Sequence, residues 1–161
     1  MEVNEKIIEE YLKLVKAWFY MSDILFTIQN GYSNIDLLAY DQINDTYYDI
    51  EVKYRSTKGI ENADFDDHIY QMTRFERNAK IEEIIGNNKK IIKIFITTKT
   101  YFGKLKKNEE KLIDGMKKKN HILKVWYFDD IFPELYERVN KKGRYNTELT
   151  QTIRLLKTYM K

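Results

Sequence analysis

Residues Asn34 to Arg55 read NIDLLAYDQINDTYYDIEVKYR, and their pattern decides what the rest of the chain has to do. The stretch predicts two β-strands joined by a polar turn. The first, Ile35 to Tyr40, is apolar but carries one acid, Asp36. The second, Tyr47 to Tyr54, alternates. Tyr48, Ile50, Val52 and Tyr54 fall on one side, and Asp49, Glu51, Lys53 and Arg55 on the other. Between them, Asp41 to Thr46 contains Asn44-Asp45, residues that tolerate turn conformations and bond their own backbone.

Glu51 and Lys53 are two residues apart on a strand, so they share a face and stand roughly 7 Å apart along it. If the two strands pair as neighbours, Asp36 comes close to Glu51. Two carboxylates and an ammonium then converge, an arrangement that is costly unless the acids are neutralised, and a divalent cation does this. Mg²⁺ is content with one or two carboxylates, water and substrate phosphate filling its other positions. Glu109-Glu110-Lys111 spells the same Glu-x-Lys but lies in a charged segment that reads as helix.

Asp36 followed by Glu51-Val52-Lys53 on the next strand resembles the PD-(D/E)xK nuclease superfamily, in the manner of archaeal Holliday-junction resolvases and related small DNases. Ile35 stands where the family's proline often does. The resemblance implies a restriction-endonuclease-like α/β core with a mixed central β-sheet flanked by α-helices. It implies a Mg²⁺-dependent endonuclease, with Mn²⁺ as a substitute, that hydrolyses DNA to a 5′-phosphate and a 3′-hydroxyl. Asp36, Glu51 and the backbone carbonyl of Val52 would hold the ion, and Lys53 would hold the attacking water and stabilise developing charge. A glutamate of the first helix would complete the metal shell. Glu5 and Glu9 both suit it, and Glu5, in line with Ile8 at the end of the apolar stripe, is the preferred choice. Gln71, about twenty residues beyond Lys53, would assist the lysine. Duplex, branched or free DNA ends are the implied substrates, and a resolvase-like member would act as a dimer. A catalytically inactive nuclease-fold module that binds nucleic acid or another partner is the alternative, and RNA cleavage is a third.

The chain has 161 residues, 43% hydrophobic and 33% charged, which suits one globular domain, 1–161, with a substantial core. The net charge of +3 is too small to argue nucleic-acid binding by itself. Its distribution says more: the first half is acid-rich, and lysines crowd Lys89 to Lys119 and Lys141 to Arg144. The absence of cysteine excludes disulfides, thiol nucleophiles and the iron–sulfur cluster of some exonuclease relatives. No apolar run is long enough to span a bilayer, and MEVNEKIIEE lacks the form of a secretion signal, so the expectation is a cytoplasmic protein without a membrane partner.

The remaining pattern predicts a helix from Asn4, as cap, to about Ala17, then a strand over Trp18 to Ile28 that is interrupted near Ser22-Asp23. Gln29-Asn30-Gly31 is a turn, and Ser33 and Asn34 are placed to reach a substrate backbone or to serve the turn. One long helix is expected over Asp66 to Ile85, capped by Asp64 or Asp66, stopped by Gly86, and carrying His68, Gln71, Arg74 and Arg77. Lys90 to Thr98 is a dense apolar run suited to a central strand, parallel to the strand before the helix. Leu105, Leu112, Ile113 and Met116 mark a further helix, and Ile122 to Phe128 the last strand. Pro133 suits the first turn of a helix ended by Gly143, and Thr147 caps a final helix reaching Tyr159.

Overall fold

The computed structural model describes residues 2–104, 106–140 and 147–160. Leu105, Gly143 and the basic run Lys141 to Arg144 therefore lie outside the described residues. The fold is α/β. Five strands, β1 (Phe19–Ile28), β2 (Gly31–Asp41), β3 (Thr46–Val52), β4 (Ile91–Thr97) and β5 (Leu123–Tyr127), form one sheet in the order β1-β2-β3-β4-β5. The first three are antiparallel, and β3, β4 and β5 are parallel. The sheet is thus mixed, as expected, because β1–β3 are joined by tight turns while helices intervene before β4 and β5.

Local chemistry explains the turns. Gly31 opens β2 at φ 143°, a backbone region that suits glycine. In the β2–β3 turn the Asp41 carboxylate accepts from the Ile43 and Asn44 backbone N–H groups and from the Asn44 amide. Asp45 sits at φ 46°. The alternation read in β3 is real: Tyr48 and Ile50 enter one core, with Leu37, Ala39, Ile92, Ile94 and Ile96, under the first helix and the last two. Trp18 stacks on Tyr48 there, at 4.2 Å between ring centres. The other side is covered by the middle helices, through Phe65, Met72, Phe95, Leu112 and Met116, and through Ile24, Phe26, Ile35, Leu38 and Ile81. Central β4 buries both sides, which explains its nearly unbroken apolar sequence.

Several helix boundaries differ from expectation. Helix α1 covers Val3–Tyr11, capped by Glu2 rather than Asn4, with Glu5 reciprocating in a capping box. A π-helical turn, Leu12–Lys16, follows and ends at Ala17 in the left-handed region. The long helix expected from Asp66 is two: α2 (Asn62–Thr73), capped by Glu61 with Asp64, and α3 (Phe75–Ile85), which ends at Gly86. They part at Arg74, whose backbone is extended. Its guanidinium lies over Tyr70 and Phe26 and bonds Glu76, contacts that hold the bend. A short α4 (Lys99–Phe102) and α5 (Lys107–Lys118) lead to β5. Pro133 is not in a first turn but is the sixth residue of α6 (Phe128–Arg138). Thr147 caps α7 (Glu148–Tyr159) as anticipated, its hydroxyl accepting from the Thr150 N–H.

Candidate functional site

The residues that the second strand projects away from Tyr48 and Ile50 meet at the end of β3. The β2–β3 register pairs Leu38 with Asp49 and Leu37 with Ile50, so its next step sets Asp36 opposite Glu51. The pairing does not simply continue. The Val52 N–H donates to Asp36 Oδ2 at 2.7 Å, so a side chain takes the bond that a strand partner would have taken. On the other edge of β2, the β1 pairing steps over Asp23, which adopts φ 53°. This is the interruption read near Ser22-Asp23. The Asn34 amide bridges the two acids, donating to Asp23 Oδ1 at 3.1 Å and to Asp36 Oδ1 at 3.4 Å.

Asp36 is only 8% exposed. Burial, and then the neighbouring Glu51 carboxylate, push its carboxyl up to about 7, against the pull of the Val52 N–H and of Arg77. Glu5 adds to that push from α1, and its own carboxyl is raised, chiefly by burial, with Asp23 contributing. Glu5 is therefore the first-helix acid whose charge bears on Asp36, while Glu9 bears on Tyr20 and Glu10. Among the described residues, however, no group of three or more histidine or acidic side chains is close enough together to hold a metal ion. By register and charge, Asp36 and Glu51 form the convergent pair. Two acids still meet the modest carboxylate demand of Mg²⁺. Among the described residues each retains an oxygen beyond its short protein contact: Asp36 Oδ1 has the long Asn34 bond, and Glu51 is bonded through Oε2.

Lys53 lies one residue past β3, yet its backbone stays in the sheet. Its N–H donates to the Ile96 carbonyl at 2.7 Å, and its carbonyl accepts from the Thr97 hydroxyl at 2.7 Å. The backbone is fixed while the half-buried side chain makes no ion pair within 4.0 Å among the described residues. Among the described residues no hydrogen bond joins Gln71 to the acids: it is half-buried on α2, and its side chain accepts from Arg74, at 3.5 Å. His68 is a core residue, bonded through Nε2 to the Tyr101 hydroxyl at 2.8 Å and packed on Phe95. Burial, followed by the nearby Lys53 charge, lowers it to about 4. Arg55 is exposed and bonds the Tyr54 carbonyl.

No protein-family model matches this chain, and no curated protein does. Among solved structures, the chain is similar to the crystal structure of a protein of unknown function, AF1548, with 14% identity and a TM-score of 0.49. The similarity covers 92% of this chain and 78% of that one.

The sequence reading missed the charged cluster beneath the acids. Asp49 is fully buried and bonds both Arg77 and Lys93. Burial alone would raise its carboxyl, but the two cations outweigh it and hold it at about 2. A signal was present: Asp49 has the parity of Glu51, and Lys93 interrupts an otherwise apolar strand, where a buried ammonium requires an acid. A cleft of about 370 Å³ is lined by Asn4, Tyr54, Ser56 and Phe132 among others, and neither Asp36, Glu51 nor Lys53 is in its lining. A larger one, about 640 Å³, lies elsewhere, between Lys99 and Tyr127, and shares none of these acids.

Proposed function

We propose that this chain is a metal-dependent endonuclease of the PD-(D/E)xK type that hydrolyses DNA phosphodiester bonds in the cytoplasm. The observation that carries this reading is the buried Asp36 beside Glu51, on neighbouring strands, with a sheet-anchored Lys53 next in line. Burial and the neighbouring Glu51 charge leave the Asp36 carboxylate short of positive charge. That deficit is what a hard dication relieves, so the residues fit Mg²⁺ or Mn²⁺. Asp36, Glu51 and the Val52 carbonyl would hold it, and the chemistry it supplies when bound is a lowered pKa for water and shielding of phosphate charge.

The chain's own groups do the rest. The Val52 N–H and the Asn34 amide orient Asp36. Lys53 brings an ammonium, uncommitted to any acid among the described residues, to the charge that develops on the phosphate and to the attacking water. Glu5 adds negative charge from α1. The small size favours recognition of DNA structure, branches or ends, over sequence reading. A two-fold pair of chains would cut both strands of a branch. In support of such a pair, β1 is an edge strand with Phe19, Met21 and Leu25 exposed.

The test is cleavage of plasmid and branched DNA with Mg²⁺ or Mn²⁺ by the wild-type chain, Asp36→Asn and Lys53→Ala. Each substitution is expected to lower the rate at least a hundredfold. Cleavage unchanged in both variants removes this site. DNA binding without cleavage by the wild type favours a non-catalytic module.

A further inference from the structure

Arg77 is 2% exposed, on α3, and each edge of its guanidinium is committed. Nε and one terminal nitrogen bond the Asp49 carboxylate, the shortest contact being 2.6 Å. The other terminal nitrogen donates to Glu51 Oε2 at 2.8 Å. Asp49 is itself held by Lys93 at 2.6 Å, and Lys93 also donates to the Asn78 side-chain oxygen Oδ1 at 2.9 Å. The guanidinium is therefore fixed from behind before it reaches Glu51. Asp49 supplies one negative charge against the two positive charges of Arg77 and Lys93, so Glu51 is the counter-ion of the surplus cation.

We infer that Arg77 is a positioning residue of the candidate metal site: it anchors Glu51 by Oε2 and leaves Oε1 for the ion that Asp36 shares. The inference rests on the hydrolase reading above and adds a residue to it. Arginine suits the task because its planar fork bonds two carboxylates at once in fixed directions, whereas a lysine ammonium has no such fork. Acids that ligate metals are commonly held by an outer hydrogen bond of this kind, and its loss weakens metal binding. In this chain the outer bond reaches the site from a different helix and is locked by a buried lysine on β4.

The experiment is Mn²⁺ binding to the full chain, followed by calorimetry without DNA, alongside single-turnover cleavage. The proteins are wild type, Arg77→Lys, and Asp49→Asn combined with Arg77→Gln, which removes one buried charge of each sign while Lys93 keeps its bond to Asn78. Near-UV circular dichroism checks the fold. Mn²⁺ affinity is expected to fall ten- to a hundredfold in the double variant, with Arg77→Lys in between. Arg77→Lys keeps the buried charge and carries the comparison if the double variant loses its tertiary signal. Unchanged or tighter Mn²⁺ binding in a folded variant overturns the inference, since Arg77 would then be a bystander or a competing cation. A wild-type chain that binds no Mn²⁺ removes the hydrolase reading and this inference together.

Discussion

Asp36 stores energy in the folded chain. Its carboxyl is pushed up to about 7 by burial and by Glu51, from an ordinary value of 3.8. Between about pH 4 and pH 7 the folded state holds a proton that the unfolded chain has released. Stability therefore falls as pH rises through that window, and the full penalty, on the order of 4 kcal/mol, stands above it. Asp36→Asn removes the charge and can still accept from the Val52 N–H. We expect it to raise the melting temperature of the metal-free protein at pH 8 and to leave it unchanged near pH 3.5. A variant less stable than wild type at pH 8 would contradict the strain assigned to Asp36. The residue chemistry here was partly legible beforehand. Asp36, Glu51 and Lys53 stood out by strand parity, and Glu5 by its place on the apolar stripe. Gln71 did not fall into place, because spacing along a helix says nothing of which way that helix leans.

At the scale of elements, the central strand β4 shows how a sheet accommodates charge. Its sequence IIKIFIT is apolar except for Lys93, which is 1% exposed, and the terminal Thr97. Burial lowers the Lys93 ammonium, and Asp49 across the parallel register, paired directly with it, opposes that loss. Lys93→Met would leave Asp49 with Arg77 alone, and we expect it to cost about 3 kcal/mol. Adding Asp49→Asn should return part of that loss, so a double-mutant cycle in urea should show coupling above about 1 kcal/mol. Additive effects would mean that the two side chains act independently. The helix break at Arg74 belongs to the same scale. Helical periodicity runs through residues 66–85 without a proline or glycine, so nothing in the local pattern announces the stop. The bend is held by Phe26, on a distant strand, and by Tyr70 and Glu76.

For the whole molecule, the proposed ion should act as a linked ligand. A dication bound only by the folded chain, at a hundred times its dissociation constant, adds about 2.7 kcal/mol. For a domain of this size that is a rise in melting temperature of roughly 5–10 °C. We expect Mn²⁺ to produce such a rise in the wild-type chain at pH 7.5 and none in Asp36→Asn. An equal rise in both would place the ion elsewhere. No helix among the described residues is long and apolar enough to cross a membrane. The mixed sheet, with helices on both sides, holds Asp36 and Glu51 at the end of β3, where the antiparallel and parallel halves meet.

Sequence alone determined the strands, their turns, the mixed pairing and the parity that puts Glu51 and Asp49 on one side, because period-two alternation and turn chemistry are local. Tertiary structure decided what those acids meet. Arg77 lies 26 residues from Glu51 and Lys93 lies 44 from Asp49. Their partnership depends on how α3 bends at Arg74 and settles on the sheet, a matter of packing between elements that no window of sequence contains.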